Sequence, residues 1–401
     1  MNPAAGPRAD KKWKPGRVFP FFNRFSAGNP DLAAVFGCGL IALVSALAAG
    51  HPAGEDTLLA VFWNVENFFD FIDGGQNPSD REFSSPGLRH WTKRRFYAKC
   101  NAVAKSIFWM AERYGRLPDV VGLAEVENRF VLERLLRATL LSKAGYRIVH
   151  YDSPDPRGID VALLYRPATL RLCRSFPCPI RAGPSGAAAP ATGGPAPPKG
   201  NPADSSAWRT RDILLVQLER AGLRYTVLVN HHPSKWGGTA AEGRRKAAIA
   251  RLIALGDSLA RAGDSLVVAM GDFNDTPENP LYGRLCREGR LVNLAESPAR
   301  HGQGTIRYNG RWELIDQLYV SPALASAVCR TPSGQGMEIL RIPFLLVRDA
   351  VHSGEKPFRT WSGPRYIGGV SDHLPVALQL RTPKESENDN RTQQPGRMPP
   401  G

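Results

Sequence analysis

An α/β layered fold is predicted for this chain by three observations. Apolar runs of strand length alternate with stretches of helical spacing, and most of those runs stop abruptly at polar residues. With 401 residues and 42% apolar content, the chain can also bury one large core. No internal repeat or composition break divides it after the first fifty residues, so a single domain over residues 50–381 is expected.

The first fifty residues differ from the rest. Lys11, Lys12, Lys14, Arg17 and Arg24 precede an apolar stretch over 32–49 that ends in small residues, with Ala46-Leu47-Ala48 in an Ala-x-Ala arrangement. This pattern reads as a signal peptide over residues 1–49, which predicts export to the periplasm or the extracellular space. The long basic lead leaves an uncleaved signal anchor in the inner membrane as the alternative, and that anchor is the one membrane-inserted segment the sequence suggests.

Residues 58–63 have the length and composition of a buried strand, and a polar, Gly-rich excursion follows over 70–90. Between 92 and 113, Phe96, Val103, Ile107 and Met110 recur close to helical spacing. A strand at 119–124 and a second amphipathic helix at 128–141 continue the alternation. Three short strands at 146–151, 159–165 and 170–174 are separated by Pro/Gly turns that suit antiparallel pairing. Residues 177–206 are rich in Pro, Gly, Ala and Ser and nearly free of bulky apolar side chains, so they are read as a mobile surface loop. Strand pattern resumes at 213–218 and 225–230, and 239–262 is a basic helix carrying Arg244, Arg245, Lys246 and Arg251. A strand at 266–270 and shorter pieces at 314–320, 344–347 and 376–380 complete the domain. Residues 382–401 are polar and end in Pro and Gly, a tail expected to be disordered.

The net charge of +15 suits a polyanionic or phosphorylated partner, although no dense Lys/Arg tract stands out and basic charge also serves solubility. Beyond Cys38 there are five cysteines, and none has Cys-x-x-Cys or Cys/His spacing suited to zinc. Export would permit a Cys173 to Cys178 disulfide, but the odd count makes buried free thiols the simpler expectation. His-Glu-x-x-His and Gly-x-Ser-x-Gly are both absent, which removes zinc-protease and serine-hydrolase readings.

The strand at 266–270 ends in Gly271-Asp272-Phe273-Asn274-Asp275. Alternation along extended backbone puts Asp272 and Asn274 on one face and Phe273 on the other, and Gly271 is expected to let the chain turn sharply. Taken alone, this is also ordinary turn chemistry. Other strands end the same way. Asn64-Val65-Glu66 closes the first, Glu125 the second and His231-His232 the strand at 225–230; Asp316 sits inside an apolar run, and Asp372-His373 precede the last strand. Each has a structural explanation of its own: Glu66 or Glu125 as a helix cap, Asp316 as a backbone-bonded acid, His231 as a core histidine. Six such coincidences in one domain point to a site. Phosphoester hydrolysis uses these groups: a carboxylate-held divalent ion neutralises phosphoryl charge, a second acid orients or deprotonates water, and an imidazole donates to a phosphate oxygen or leaving group. Oxygen ligands without thiolates favour Mg²⁺, with Mn²⁺ or Ca²⁺ as alternatives.

In this order, Asn64-Val65-Glu66, Glu125, Asn230-His231, Gly271-Asp272-Phe273-Asn274, Ile315-Asp316 and Ser371-Asp372-His373 resemble the motifs of the endonuclease/exonuclease/phosphatase superfamily. That superfamily includes pancreatic-type deoxyribonucleases, abasic-site endonucleases, sphingomyelinases and inositol-phosphate 5-phosphatases. The resemblance covers residues 57–381 and is nearest to exported bacterial members. It implies a four-layer α/β sandwich: two mixed, mainly antiparallel sheets face to face, helices outside and the active site at one edge. It also implies that Glu125 is the principal metal ligand, with Glu66 and Asp372 as further ligands. Asn64 and Asn274 resemble phosphate- or water-orienting amides, and Asp272 the acid that activates water. His373 and Asp316 resemble an imidazole fixed by an acid, and His231 a second phosphate-facing histidine. Arg211 resembles an arginine that meets substrate phosphate, with Arg209 as a competing choice; Asp160 stands where the family often has a different residue. The expected activity is that of an exported, Mg²⁺-dependent nuclease, with a phosphatase or sphingomyelinase-like lipid hydrolase as the alternative. A catalytically silent binding protein on the same scaffold is disfavoured because no expected group is missing. The expected partner is nucleic acid or another phosphoester, with no obligate protein partner. Substrate choice is assigned to loops 70–90, 177–206 and 335–368, where Trp91, Lys93, Lys235, Trp236, Trp361 and Arg365 could stack bases, rest on a membrane or simply pack.

Overall fold

The computed structural model describes residues 57–75, 77–180, 210–235 and 238–382. The expected signal peptide, most of the expected loop at 177–206 and nearly all of the tail lie outside the described residues. In chain order the strands are β1 (Thr57–Phe68), β2 (Val120–Val126), β3 (Arg147–His150), β4 (Asp160–Tyr165), β5 (Arg171–Cys178), β6 (Ile213–Arg220), β7 (Leu223–His231), β8 (Leu266–Asp272), β9 (Val292–Asn293), β10 (Ile306–Tyr308), β11 (Arg311–Glu313), β12 (Asp316–Val320), β13 (Glu338–Ile339), β14 (Leu346–Arg348), β15 (Glu355–Pro357), β16 (Trp361–Ser362), β17 (Arg365–Tyr366) and β18 (Val376–Arg381). The longer helices are α1 (Lys93–Tyr114), α2 (Arg129–Arg137), α3 (Gly238–Arg261) and α4 (Pro280–Arg287).

Twelve of these strands form two six-stranded sheets, in the orders β13-β18-β1-β2-β4-β3 and β5-β6-β7-β8-β12-β9. Each sheet is antiparallel except for one central pair, β1 with β2 and β7 with β8. Parallel neighbours need a crossover. Helix α1 supplies it in the first sheet and α3 in the second. The remaining strands pair as small ribbons, β10 with β11, β14 with β15 and β16 with β17.

The inner faces of the two sheets share one core. Ala60 and Phe62 of β1, Val227 and Val229 of β7, and Val268 and Met270 of β8 belong to it, at the two-residue period expected of strands. Gly122 of β2 faces the same core. A Cβ there would stand 2.7 Å from Met270 Sδ, so the missing side chain is what lets the sheets approach. Behind the second sheet, Leu228 and Ala269 pack with Ala248 and Leu252 of α3 and Leu285 of α4. Behind the first, Phe68 of β1 lies 5.9 Å from Phe96 of α1, ring centre to ring centre. Helices, sheet, sheet and helices make the expected four-layer sandwich.

Local chemistry sets the helix bounds. The Thr92 hydroxyl accepts from Arg95 N at the start of α1, and Gly115 ends it in the left-handed region at φ 69. The helix expected over 128–141 stops sooner, at Arg137. Thr139 gives its hydroxyl to Leu135 O and accepts from Leu141 N, and this bonding breaks the helix before the single turn Leu140–Lys143. β5 runs to Cys178, two residues into the segment read as a loop. Cys100, Cys173, Cys178, Cys286 and Cys329 are all free thiols, so the disulfide is not formed. Among the described residues no helix is long and apolar enough to cross a membrane.

Candidate active site

The predicted strand-end residues meet where the four parallel strands β1, β2, β7 and β8 finish. The chain leaves these strands irregularly. Register shifts fall between Asn64 and Phe68 and between Ala124 and Val126. Glu66 (φ 48), Asn67 (φ 47), Glu125 (φ 61) and Asn274 (φ 53) all lie in the left-handed region without being glycine. Such a backbone costs on the order of 1 kcal/mol or more per residue and persists where its surroundings hold it. Here side chains do the holding. Asn64 Oδ1 accepts from Glu66 N (2.9 Å), Glu125 Oε2 from Asn67 N (2.7 Å) and Asp272 Oδ1 from Asn274 N (2.8 Å). The bulges re-aim the two glutamates. Gly271 does not make the sharp turn expected of it; Asn274 does. Gly271 lies within β8 against Asn230, whose Cβ would be 2.7 Å from any Cβ added there.

Asp272 is the centre of one half of the site. Its Oδ2 accepts from Asn64 Nδ2 at 3.0 Å and lies 3.6 Å from His231 Nε2 and 3.9 Å from His373 Nε2. The other nitrogen of His373, Nδ1, is 2.7 Å from Asp316 Oδ2, an arrangement in which Asp316 fixes the ring. Asp316 is paired directly opposite Asp272 across β8 and β12. Ser371 Oγ donates to Asn64 O (2.7 Å) and accepts from His373 N (3.0 Å), tying the last loop to β1. Burial pushes Asp272 up to about 7, against His373, which pulls it down. Burial opposes charge on His373, but Asp316, Asp272 and Asp372 outweigh it and hold the ring well above the ordinary imidazole range. Burial and the nearby Arg211 and Arg157 keep His231 well below that range, so it is neutral. His232 turns the other way, with its ring 4.7 Å from Phe273 in the layer under α4.

The carboxylates of the other half are spread out. Glu66 is buried; its Oε2 accepts from Thr360 N (2.6 Å) and its Oε1 lies 3.4 Å from Arg359. Burial, with Asp372 nearby, pushes Glu66 up to about 7. Arg359 also reaches Asp372 Oδ2 at 2.9 Å, so one guanidinium bridges two of the expected ligands. Lys99 of α1 donates to Glu66 O and to Thr360 Oγ1. Burial raises Glu125, but Arg157, the Asn67 N–H and His373 outweigh it and leave the group below its ordinary value. Glu125, Glu66 and Asp372 do not converge within 4.8 Å of one another; among the site residues only Asp272, Asp316 and His373 do. The donor set of hard carboxylate oxygens fits a hard divalent ion, and of the three expected ligands Glu125 is the one that lines the cavity over the site.

A cavity of about 300 Å³ opens over these groups, lined by Glu125, His231, Asp272, Asn274 and His373 and walled by residues 155–157, 210–211 and 233–234 with Arg244. Arg211 lines it but is already engaged. It donates to Asp155 Oδ2 (2.8 Å), His231 O (3.3 Å) and His232 O (3.0 Å), which leaves two of its five N–H groups for a ligand. Asn274 Nδ2 donates to His232 O (2.9 Å), so this amide also braces the strand end.

The sequence pattern of the Endonuclease/Exonuclease/phosphatase family matches residues 59–180 and 200–382. The chain belongs to this family. It is a hydrolase acting on phosphate esters, and enzymes of the family depend on divalent metal. No curated protein matches the chain. Solved structures similar to it include an endonuclease/exonuclease/phosphatase family protein of Bacteroides thetaiotaomicron, with 16% identity, a TM-score of 0.49 and coverage of 81% of this chain and 97% of that one. A mannosyl-6-phosphatase of Bacteroides thetaiotaomicron has 15% identity, a TM-score of 0.48 and coverage of 80% and 98%. D. rerio TDP2 complexed with a single strand DNA product has 13% identity, a TM-score of 0.44 and coverage of 81% and 99%.

Within this family member, the residues that sequence reasoning missed are mostly cations and their partners: Lys99, Arg157, Arg359, Asp155 and Thr360. Lys99 carried a signal, since it interrupts the buried face of α1 between Phe96 and Val103. Asp160, whose role was open, accepts from Ser153 N (2.9 Å) and lies 3.2 Å from His150 Nε2, anchoring the loop that carries Asp155 and Arg157. Trp91 and Trp361 neither stack bases nor rest on a membrane. Both are buried and pack 5.4 Å apart, ring centre to ring centre. Lys235 pairs with Asp275 at 3.0 Å. Trp236 and Arg209 both lie outside the described residues.

Proposed function

We propose that this chain is an exported, metal-dependent phosphodiesterase that cleaves nucleic acid. The observation that carries the reading is Asp272, buried, held by Asn64, with Nε2 of both His231 and His373 within 4 Å and an arginine-walled cavity above it. Asp272, at about 7, accepts a proton from water near neutral pH. Neutral His231 orients that water, and the Asn64 amide orients the Asp272 carboxylate. His373, kept charged by Asp316, donates to a phosphate oxygen or to the leaving oxygen. Glu125 would hold a divalent ion, proposed as Mg²⁺ with Mn²⁺ or Ca²⁺ able to substitute, and the Asp372 and Glu66 carboxylates stand nearby. When bound, the ion supplies positive charge against the phosphoryl oxygens. The basic wall and the net charge of +15 favour a polyanion. The basic, then apolar, residues 1–49 favour export.

The size of the cavity, about 300 Å³, favours a second reading, a phosphatase or a lipid phosphodiesterase acting on a compact headgroup. Incubation with plasmid DNA, RNA, sphingomyelin and inositol phosphates in Mg²⁺, Mn²⁺ or Ca²⁺ separates the two. Cleavage of nucleic acid is the expected result; turnover of only lipid or phosphomonoester overturns it. Asp272→Asn is expected to lower turnover by about 10²–10⁴-fold, and full retention would remove Asp272 from its role.

A further inference from the structure

Arg157 sits on the one carboxylate oxygen that the ion needs. Glu125 Oε2 is taken by Asn67 N at 2.7 Å, and Arg157 Nη1 lies 3.6 Å from the remaining oxygen, Oε1. Its Nη2 donates to Asn67 Oδ1 at 2.7 Å. The arginine side chain is 46% exposed and that of Glu125 only 13%, and both residues line the cavity. The backbone beneath it is fixed. Arg157 N donates to Asp155 Oδ1 (2.9 Å), Gly158 N donates to Asp155 O (2.9 Å), and Asp155 Oδ2 holds Arg211 (2.8 Å). The base of the side chain is therefore held in place, while its tip is held by two partners, Asn67 Oδ1 and Glu125 Oε1.

We propose that Arg157 is a substrate-binding residue that exchanges partners. Without a divalent ion it neutralises Glu125; displaced by the ion, it turns into the cavity and takes a phosphate oxygen of the substrate. The proposal rests on the reading of Glu125 as the ion ligand. Two cations cannot share Oε1 without mutual repulsion, and a guanidinium leaving Glu125 faces a cavity whose ligand is anionic. Its planar fork matches phosphate geometry, which the lysine point charge does not. Competition for Glu125 and attraction to phosphate have opposite consequences on removal of the side chain. Ion binding tightens and phosphate binding weakens.

The test is titration of Mn²⁺, and separately of inorganic phosphate with and without Mg²⁺, into the wild type, Arg157→Met, Arg157→Lys and Glu125→Gln. Arg157→Met is expected to bind Mn²⁺ about fivefold or more tightly and, in Mg²⁺ only, phosphate about tenfold more weakly, within the usual range of coupling between sites. Arg157→Lys should fall between. Unchanged or weaker Mn²⁺ binding by Arg157→Met overturns the exchange, as does phosphate binding that the substitution leaves unaltered in Mg²⁺. Glu125→Gln should lose Mn²⁺ binding. If it does so while Arg157→Met changes nothing, the exchange fails alone; if Glu125→Gln binds Mn²⁺ normally, the ligand assignment fails and the exchange with it. Thermal melting of each variant checks that this half-exposed side chain has been removed without unfolding the protein.

Discussion

Strand alternation sends His231 and His232 to opposite sides where β7 ends, and the two imidazoles take up different physical tasks. His231 faces Asp272; His232 is packed against Phe273 and Tyr282. Burial, then Arg211 and Arg245, lower His232 to about 3. The folded protein thus binds the neutral ring, so its contribution to stability is present above the unfolded value near 6.5 and is lost as pH falls from there toward 3. Each unit of difference is worth about 1.4 kcal/mol, so the loss amounts to a few kcal/mol at most. His232→Phe keeps the ring packing and removes the titration. Its melting temperature should fall less than that of the wild type between pH 6.5 and pH 4, and parallel losses would show that this histidine does not govern acid stability. Asp272 has the opposite sign. Its carboxyl is raised to about 7, so folding favours the proton, and stability declines as pH rises from the ordinary carboxylate range through 7. Turnover needs the proton absent and should climb over the same interval. Asp272→Asn is therefore expected to melt higher than the wild type at pH 8 while losing hydrolysis, a trade that melting curves in chelator and a pH–rate profile read separately.

At the scale of elements, the site depends on how closely β7 and β8 run. Asn230 and Gly271 are direct partners in that parallel pair, and a Cβ on Gly271 would press on the Asn230 carbonyl and stand 2.7 Å from its Cβ. Backbone cannot give way as a side chain can. Gly271→Ala should cost near or above the upper end of the ~1–3 kcal/mol usual for overpacking, and more than Gly122→Ala, whose nearest neighbour is the flexible Met270 sulfur. Urea unfolding of the two variants checks the order; an equal or reversed cost would mean that the strands can part. The same closeness explains what the sequence made legible. Asn64, Glu66, Glu125, His231, Asp272 and His373 each follow or border an apolar strand, so the change from apolar to polar marks them. The left-handed turns at Glu66, Asn67 and Glu125 carry no such mark, because none is a glycine. Arg157 and Arg359 reach the site from loops, where no period announces direction. The small ribbons β10–β11 and β16–β17 are too short for alternation to show, and Trp361 belongs to one of them. Its burial against Trp91 is a tertiary fact with no local signal.

Across the whole molecule, the core and the chemistry are separable. The apolar contacts between the sheets and beneath α3 and α4 involve none of the site's carboxylates. The acids at the edge already have cations beside them: Lys99 near Glu66, Arg359 between Glu66 and Asp372, and Arg157 on Glu125. Under the proposed function the ion therefore serves the reaction and not the fold. Stripping the protein with a chelator is expected to abolish phosphoester hydrolysis while leaving a cooperative melt. Restoring Mg²⁺ should raise stability only as far as binding requires, about 1.4 kcal/mol for each tenfold excess over the dissociation constant. In a domain of this size that is a shift of about 1–2 °C per kcal/mol. A metal-free protein that has lost its near-ultraviolet circular dichroism would contradict this, since it would mean that the three cations do not hold the acidic strand ends together and that the ion is a structural member of the sandwich.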